Sequence, residues 1–317
     1  MDIEQVIKKS RPNINQNTLK AYIGNIKKLN MLITKSNEIK NLDFLKDDDK
    51  VLEVLNDKLT TTKKNYLVAV LVVLMSNQNK FEKQIKKYQD RIKKLQSDVN
   101  DNYDENSKSE KQDKNWVDYE EILKLLKKVK TDLKPILSKP HNELTQKDKD
   151  AIQQYLVLYL YSGKAFAITR NDFADMKIVS ENADMEKNKN YFVIKKSGTP
   201  YFKLNEFKTA KYKGEVEIPI KDMELRRLIN KWAKINGTGF LLVNVSNNTP
   251  MTANGISKYL QKIFKKHLGK NISTSLIRSI YTTHKYKGNM TQKEKKQLAT
   301  EMMNSKGTAE TVYNKID

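Results

Sequence analysis

The feature that most constrains the fold of this chain is a stretch at 96–115 that is almost free of apolar side chains. It reads QSDVNDNYDENSKSEKQDKN, with one Val and one Tyr among Asp, Asn, Ser and Lys. So polar a segment cannot bury enough apolar surface to offset the entropy lost on ordering. We therefore expect an unordered linker here, with one domain at 1–95 and another at 116–317. A chain of 317 residues is long enough for a core in each.

The first domain is predicted to be a small bundle of helices. From Asn17, which we interpret as an N-cap, apolar residues recur at intervals of three and four through Ile33. Residues 62–76 predict a second helix, apolar on nearly every side and therefore central to the bundle. A third helix is predicted over 79–95, with one apolar stripe and a charged remainder that we expect to be solvated.

The apolar run Tyr66–Met75 is the longest in the chain and bears on a membrane role. A helix needs about 20 such residues to cross a bilayer. Because the run is far shorter, we expect a buried helix and no membrane partner. The opening sequence MDIEQVIKKSRPN lacks the apolar core of a secretory signal, which favours an intracellular protein.

The second domain mixes helical and strand-like patterns, which predicts a mainly α fold with a small antiparallel β-sheet. Three short β-type runs at 191–194, 201–204 and 216–220 are separated by turns containing Gly and Pro. Thr291 and Glu294 form a capping-box pattern that fixes one helix start. The predicted helices are 116–129, 145–161, 223–233, 253–268, 274–285, 291–303 and a short one from Thr308 that carries Tyr313.

Charge and residue usage narrow the function before any motif is considered. Lys and Arg number 60 against 38 Asp and Glu, a formal net charge of +22, which suits a polyanion such as nucleic acid. The sequence has no cysteine, and this excludes a disulfide scaffold, cysteine catalysis and cysteine-ligated metal sites. Its three histidines lie far apart, which argues against a histidine-rich metal site.

Four short motifs of the second domain contain residue types suited to phosphodiester exchange. They are, in chain order, Thr169-Arg170 after the apolar run 158–163, Asn205–Thr209 with Lys208, Ser275–Arg278, and Met303-Asn304-Ser305 followed by Tyr313. Tyr313 lies 35 residues after Arg278 and nine after Asn304. Because Lys, Arg and Tyr are common in this chain, the informative feature is their order. An Arg follows a helix, a Lys lies in a sheet, a second Arg lies in a helix, and a Tyr lies in a last short helix.

The chemistry explains why these residue types occur together. Phosphodiester exchange passes through a phosphorane with added negative charge, which two bidentate guanidiniums, Arg170 and Arg278, can stabilise. The phenolate of Tyr313 can form a covalent phosphoester. Lys208 can protonate the departing 5′ oxygen. No metal ion or cofactor is required. Other lysines of the same segment remain alternatives: Lys203, Lys211 and Lys213.

Together these motifs resemble the conserved boxes of the tyrosine recombinase (phage-integrase-like) family, particularly its divergent branch in mobile elements and large DNA viruses. The resemblance covers about residues 115–317. It implies that Arg170, Arg278, Lys208 and Tyr313 are catalytic. It also implies an N-terminal helical core-DNA-binding domain followed by an α+β catalytic domain.

Two positions depart from the family pattern. Ser275 and Asn304 stand where the resemblance places histidines, and it implies that both lie at the catalytic site. Each also has a structural interpretation. Ser275 could be the N-cap of the helix that carries Arg278, and Asn304 could be a helix C-cap.

The resemblance implies a site-specific recombinase or integrase that cuts and rejoins DNA through a 3′-phosphotyrosyl intermediate. Its expected partner is double-stranded DNA, bound by a homotetramer on two synapsed duplexes. We expect the protein to be located with that DNA, in the nucleus, the cytoplasm or a viral factory. Two alternatives stay open: a type IB DNA topoisomerase, and a DNA-binding relative with weakened catalysis, which the substitutions at Ser275 and Asn304 motivate.

Overall fold

The structure, a computed structural model, describes residues 1–104 and 106–316 and separates into two units, Met1–Glu105 and Asn106–Asp317. Each unit buries its own cluster of apolar side chains. The division falls inside 96–115, the stretch where apolar residues are scarcest.

The described part of the N-terminal unit is helical. Its α-helices are α1 (Ile3–Ser10), α2 (Gln16–Thr34), α3 (Asp48–Glu53), α4 (Thr60–Met75) and α5 (Gln78–Asp104). Helix α2 begins slightly earlier than the sequence predicts. Its N-cap is Asn15 instead of Asn17, because the Asn15 side chain accepts a hydrogen bond from the Asn17 N–H at 2.9 Å.

Helix α4 is the centre of this unit, as its all-apolar pattern predicts. It packs against α1, α2 and α5. Its buried residues are Tyr66, Leu67, Ala69, Val70, Val72, Val73 and Leu74. Within the described ranges, no helix combines the length and the apolarity needed to cross a bilayer.

Residues 96–115 are more ordered than their composition suggests. Helix α5 continues to Asp104, and a short helix α6 spans Glu110–Lys114, so the unordered linker is not seen over 96–104 and 110–114. Two local features explain the difference. Val99 is buried on α5, and Ser109 caps α6 through a capping box with Gln112.

The C-terminal unit contains the remaining helices. They are α7 (Tyr119–Leu137), α8 (Gln146–Leu160), α9 (Ala210–Lys213), α10 (Met223–Asn236), α11 (Ala253–Leu268), α12 (Thr274–Lys287), α13 (Gln292–Glu301) and α14 (Lys306–Thr308). The predicted capping box of Thr291 and Glu294 is confirmed at the start of α13. The last helix starts at Lys306, before the expected Thr308, and passes into a π-helical turn, Ala309–Tyr313.

The main sheet has four strands, one more than the sequence predicts. They are β1 (Lys177–Ser180), β2 (Tyr191–Ile194), β3 (Tyr201–Leu204) and β4 (Val216–Pro219), in the order β1-β2-β3-β4. Strand β1 is parallel to β2, and the other pairs are antiparallel. The sheet is therefore mixed, although its predicted part is antiparallel. A second, two-stranded sheet joins β5 (Val243–Asn244) to β6 (Thr249–Pro250).

Aromatic side chains connect the sheet to the segment that follows α8. The Phe202 ring of β3 lies 5.0 Å from Phe173 and 5.3 Å from Phe192, centroid to centroid. Tyr161, at the end of α8, contacts Phe173 edge-on. Because Phe173 lies three residues after Arg170, this packing fixes the backbone that presents the first candidate arginine.

Candidate active site

Arg278 is the most deeply buried charged side chain of the site. It lies on α12, which the Ser273 side chain caps, and it is 1% exposed. Its Nη2 donates to the Met302 carbonyl at 3.0 Å. Its Nε and Nη1 have no acceptor among the described residues. Burial lowers the pKa of Arg278 to about 10, so the guanidinium is still charged at neutral pH.

Tyr313 lies directly against this guanidinium. Its ring centroid is 4.6 Å from the Arg278 Cζ, a cation–π contact, and the residue is 9% exposed. The π-helical turn is tied to α12 through Thr283. The Thr283 Oγ1 donates to the Tyr313 carbonyl at 3.4 Å and accepts from the Lys315 N–H at 2.8 Å. The candidate nucleophile and the second candidate arginine are therefore in contact.

Arg170 reaches the same place from the segment after α8. Its Nη1 donates to the Met303 carbonyl at 2.9 Å, and its Nη2 donates to the Asn304 Oδ1 at 2.5 Å. The Tyr161 hydroxyl donates to the Arg170 carbonyl at 3.0 Å. Both arginines thus bind the chain between α13 and α14, Arg278 at Met302 and Arg170 at the next two residues.

The turn at 302–304 explains how Asn304 comes to face Arg170. The Asn304 N–H donates to the Ala299 carbonyl, and the Met303 N–H donates to the Thr300 carbonyl, which is a Schellman ending for α13. Met303 has a left-handed φ of 58°, where glycine is usual. Asn304 lies beyond the C-cap, Met302. It is 3% exposed, and its Nδ2 has no acceptor among the described residues.

Asp172 and Asn171 are site residues that the motifs did not single out. Burial raises the pKa of Asp172, and the nearby positive charge of Arg278 opposes that rise. Its Oδ2 accepts the Arg170 N–H at 3.0 Å. The Asn171 side chain accepts from the Thr274 Oγ1 at 2.6 Å and donates to the Ala253 carbonyl at 2.7 Å. The only sequence signal for either was the polar run that begins with Arg170.

The β3–β4 connection contributes Lys213 to the cluster, while Lys208 makes no hydrogen bond to it. The Lys213 Nζ donates to the carbonyls of Asn304 at 3.1 Å and Thr300 at 3.4 Å. Burial lowers the pKa of Lys213, and the charge of Arg170 lowers it further. Lys208 is exposed, and no hydrogen bond or ion pair joins it to another described residue.

Ser275 is not brought into the cluster. It lies in the first turn of α12 and is exposed. The N-cap is Ser273, whose Oγ accepts the Leu276 N–H at 3.3 Å. The capping alternative for Ser275 is therefore wrong, and its side chain makes no hydrogen bond within the described part of the chain.

The cluster has the donors and positive charge that an anion would need. Two guanidiniums, an amide and a lysine converge on one turn beside a phenol. In the described residues, no group of three or more His, Asp or Glu side chains could hold a metal ion. Three buried donors of the cluster have no acceptor among the described residues: Arg278 Nε, Arg278 Nη1 and Asn304 Nδ2.

The similarity of this chain to known proteins is structural and remote. No protein-family model matches the sequence, and no curated protein matches it significantly. Among solved structures, the chain is similar to the crystal structure of XerA recombinase, with a TM-score of 0.41 and 10% sequence identity. The superposition covers 99% of this chain and 94% of that one. So remote a similarity carries no functional conclusion.

Proposed function

We propose that this protein breaks and rejoins DNA strands by the chemistry of a tyrosine recombinase. The observation that carries the proposal is the environment of Arg278. A buried cation is costly unless it is paired, yet this one has a single carbonyl partner among the described residues and two donors to spare. A phosphate bound there would supply acceptors that the described residues do not.

A phosphodiester suits this cluster better than a carboxylate does. The Asn304 Nδ2 and the Arg278 Nε and Nη1 are three separate donors. They match an anion whose oxygens point in several directions, as those of a phosphate do. Arg170 lies on the Asn304 side of the turn and adds a second guanidinium. Such preorganised donors act most strongly on charge that develops in the transition state.

The proposed reaction begins with attack by the Tyr313 Oη on the scissile phosphorus. The new bond joins Oη to phosphorus, and the bond that breaks joins phosphorus to the 5′ oxygen. The phenolic proton passes to solvent, and a lysine donates a proton to the 5′ oxygen; the neutral lysine then takes a proton back from solvent, so protons balance. The product is a 3′-phosphotyrosyl enzyme and a 5′-hydroxyl. Attack by the 5′-hydroxyl of another strand reverses these steps and completes an exchange.

The free protein holds Tyr313 where the phosphate would be expected. Its ring covers the Arg278 guanidinium, and both residues are buried. We propose that the ring moves off Arg278 when a phosphate binds to this guanidinium. In this mechanism Tyr313 is both the nucleophile and the cover of the anion site.

The general acid is Lys208 or Lys213, and one substrate separates them. Lys208 is the residue that the resemblance implies, while Lys213 is the one that touches the Asn304 turn. A 5′-bridging sulfur leaves as a thiolate and needs no proton. The Met variant of the true acid should lose about 10²-fold or more on the ordinary substrate and recover on the sulfur substrate. A variant that is slow on both substrates has lost positioning instead.

The wider assignment concerns DNA and assembly. We propose that the N-terminal unit is the core-DNA-binding domain, that four protomers act on two synapsed duplexes, and that the protein works where its DNA is. Binding should weaken with salt, with log affinity falling by about 0.9 per phosphate contact for each unit of log salt.

The origin in a mobile or viral element rests on the motifs alone. Inverted repeats around a short spacer beside the gene would support it.

The deciding experiment uses a pool of duplexes with randomised sequence around a single nick. Cleavage next to the nick lets the short strand diffuse away, so the covalent adduct accumulates and is separated on a denaturing gel. An adduct that maps to Tyr313 supports the proposal, and sequencing the trapped DNA identifies the site. Binding without adduct favours the DNA-binding relative. Relaxation of supercoiled plasmid without any preferred site favours the topoisomerase.

A further inference from the structure

The β3–β4 connection presents an aromatic side chain to solvent beside the candidate site. Tyr212, in the one-turn helix α9, is 85% exposed, the highest value among the exposed large hydrophobic residues of the described chain. The same turn is firmly anchored. Its Ala210 packs on the apolar core, and the Tyr212 N–H donates to the Thr209 carbonyl at 3.0 Å. The exposure of Tyr212 therefore belongs to an ordered turn.

Contacts on either side of Tyr212 fix the turn to the anion site. The Thr209 Oγ1 donates to the Met303 carbonyl at 3.3 Å, and Lys213 donates to the Asn304 carbonyl. Arg170 binds the same Met303 carbonyl and the Asn304 side chain. Tyr212 thus lies at the rim of the cluster that would hold a phosphate.

The charges around Tyr212 favour a nucleic acid over a protein surface. Between Lys208 and Lys213 every charged residue is a lysine, and both Lys208 and Lys211 are exposed. The nearest acids in sequence are Glu206 and Glu215, and Glu215 is paired with Lys203 at 3.2 Å. An exposed ring among lysines is the composition of a base-stacking platform, since every base has a face that can stack on an aromatic ring.

We infer that Tyr212 stacks on a base of the bound duplex next to the phosphate held by Arg170 and Arg278. The inference rests on the proposed function. It adds a residue that helps to determine which phosphate of the DNA lies at the site. Stacking needs a base at least partly displaced from its neighbours. The reacting phosphate would therefore be chosen partly by how easily the adjoining base pair opens, without any hydrogen bond to a base edge.

The test places a fluorophore at the ring itself. In the full chain, Tyr212→Trp adds one exposed tryptophan. The chain already contains the buried Trp232 and the half-buried Trp116. The emission of these two is measured in the wild type and subtracted. The control is Met223→Trp, at an exposed position (54%) at the start of α10. The probe is a fluorescein-labelled duplex with a central mismatch, whose bases unstack at low cost. Anisotropy reports binding in the same titration.

We expect the emission added by Tyr212→Trp to be strongly quenched as the duplex saturates, and the emission added by Met223→Trp to stay unchanged. Binding without quenching at position 212 overturns this inference and leaves the proposed function standing. No binding by the wild type overturns both. Emission from position 212 that changes with protein concentration before DNA is added means that a second protein copy covers Tyr212, and this also overturns the inference.

Substitutions at Tyr212 separate stacking from simple apolar burial. Tyr212→Phe keeps the ring and should keep the affinity within about twofold, whereas Tyr212→Leu should lose about fivefold or more. Neither removes a charge, so the salt slope should match the wild type. Lys211→Met should lower that slope by about 1 if Lys211 contacts a phosphate. Equal affinities for Phe and Leu would exclude stacking.

Discussion

Each unit of this protein buries a charged side chain, and the two side chains differ in how completely they are hydrogen-bonded. In the N-terminal unit Asp48 is 3% exposed, and two cations satisfy it: Lys87 donates to its Oδ1 at 3.0 Å and Arg91 to its Oδ2 at 3.2 Å. In the C-terminal unit Arg278 is 1% exposed. It donates to one carbonyl and keeps two donors unpaired among the described residues.

Under the proposed function, this difference separates a structural charge, Asp48, from a functional one, Arg278. A buried ion whose hydrogen bonds are complete can serve the fold of its own unit. A buried ion with spare donors destabilises the free protein, and a bound anion would remove that cost. The comparison predicts that removing Asp48 lowers the stability without changing the chemistry, whereas removing Arg278 slows the chemistry without lowering the stability.

The largest effect is expected at Tyr313, the cover of the uncompensated charge. Tyr313→Phe and Tyr313→Ala should both abolish the covalent adduct, because neither has a hydroxyl. Phe keeps a ring over Arg278, while Ala uncovers the guanidinium. Loss of a cation–π contact of about 1 kcal/mol should let Ala bind the nicked duplex roughly fivefold tighter than Phe. Equal affinities would show that the ring does not cover the anion site, and adduct from Phe would mean another nucleophile.

The two arginines come next. Arg278→Ala and Arg170→Ala should each slow adduct formation by about 10²-fold or more, the scale of losing a preorganised charge stabiliser. Lys at either position should restore little, because an ammonium cannot make the bidentate contact. Arg278→Met should leave the free energy of unfolding no lower than in the wild type, since it replaces an incompletely paired buried charge with an apolar chain. A severe loss of stability in Arg278→Met would show that Arg278, like Asp48, stabilises the fold.

Substituting Asn304 should slow adduct formation more than substituting Ser275, although the resemblance places a histidine at both positions. Asn304→Ala removes the acceptor of Arg170 and a spare donor, and should slow adduct formation about tenfold, as loss of one or two hydrogen bonds does. Ser275→Ala should change the rate by less than about twofold, because the exposed side chain makes no hydrogen bond within the described residues. Asn304→His tests the site directly: adduct formation at or above the wild-type rate supports a place beside the phosphate. Equal losses for Ser275→Ala and Asn304→Ala would contradict this ranking.

The smallest effect is expected at Asp48. Burial alone would raise the pKa of Asp48, but hydrogen bonds from Lys87 and Arg91 hold it below its usual range. Asp48→Asn should therefore cost about 1 kcal/mol at neutral pH, seen as faster hydrogen exchange in α3 and α5. A carboxylate with a lowered pKa stabilises the fold above its unfolded pKa of about 4 and loses this effect as pH falls through the folded value. The difference between variant and wild type should thus shrink as the pH falls below about 4, and adduct formation at neutral pH should be unchanged.

Local patterns predicted the elements that depend on neighbouring residues. The apolar run of α4 indicated a central helix, and Thr291 with Glu294 located the start of α13. Strand β1 was missed because its partner β2 lies beyond a turn-rich segment and pairs with it in parallel. Such pairing depends on the fold of the whole unit and leaves no local pattern of its own.

The candidate site was predicted in part for the same reason. The motifs named Arg170, Arg278 and Tyr313, which the structure brings to one turn. They could not distinguish Lys208 from Lys213, because the direction of each side chain depends on how the β3–β4 connection lies on the Asn304 turn. Nor could they indicate the burial of Arg278, which results from packing between α12 and the chain after α13.

Under the proposed function, the unpaired donors of Arg278 would also link the lifetime of the protein to its occupancy on DNA. A ligand that binds only the folded state shifts the folding equilibrium by mass action, by about 2.7 kcal/mol at a hundredfold excess over its dissociation constant. Bound DNA would supply the missing acceptors, and the bound protein would then unfold less often than the free one. Proteases act on the unfolded fraction. Molecules without a DNA site would be degraded first, and the cellular level of the enzyme would follow the number of sites available to it.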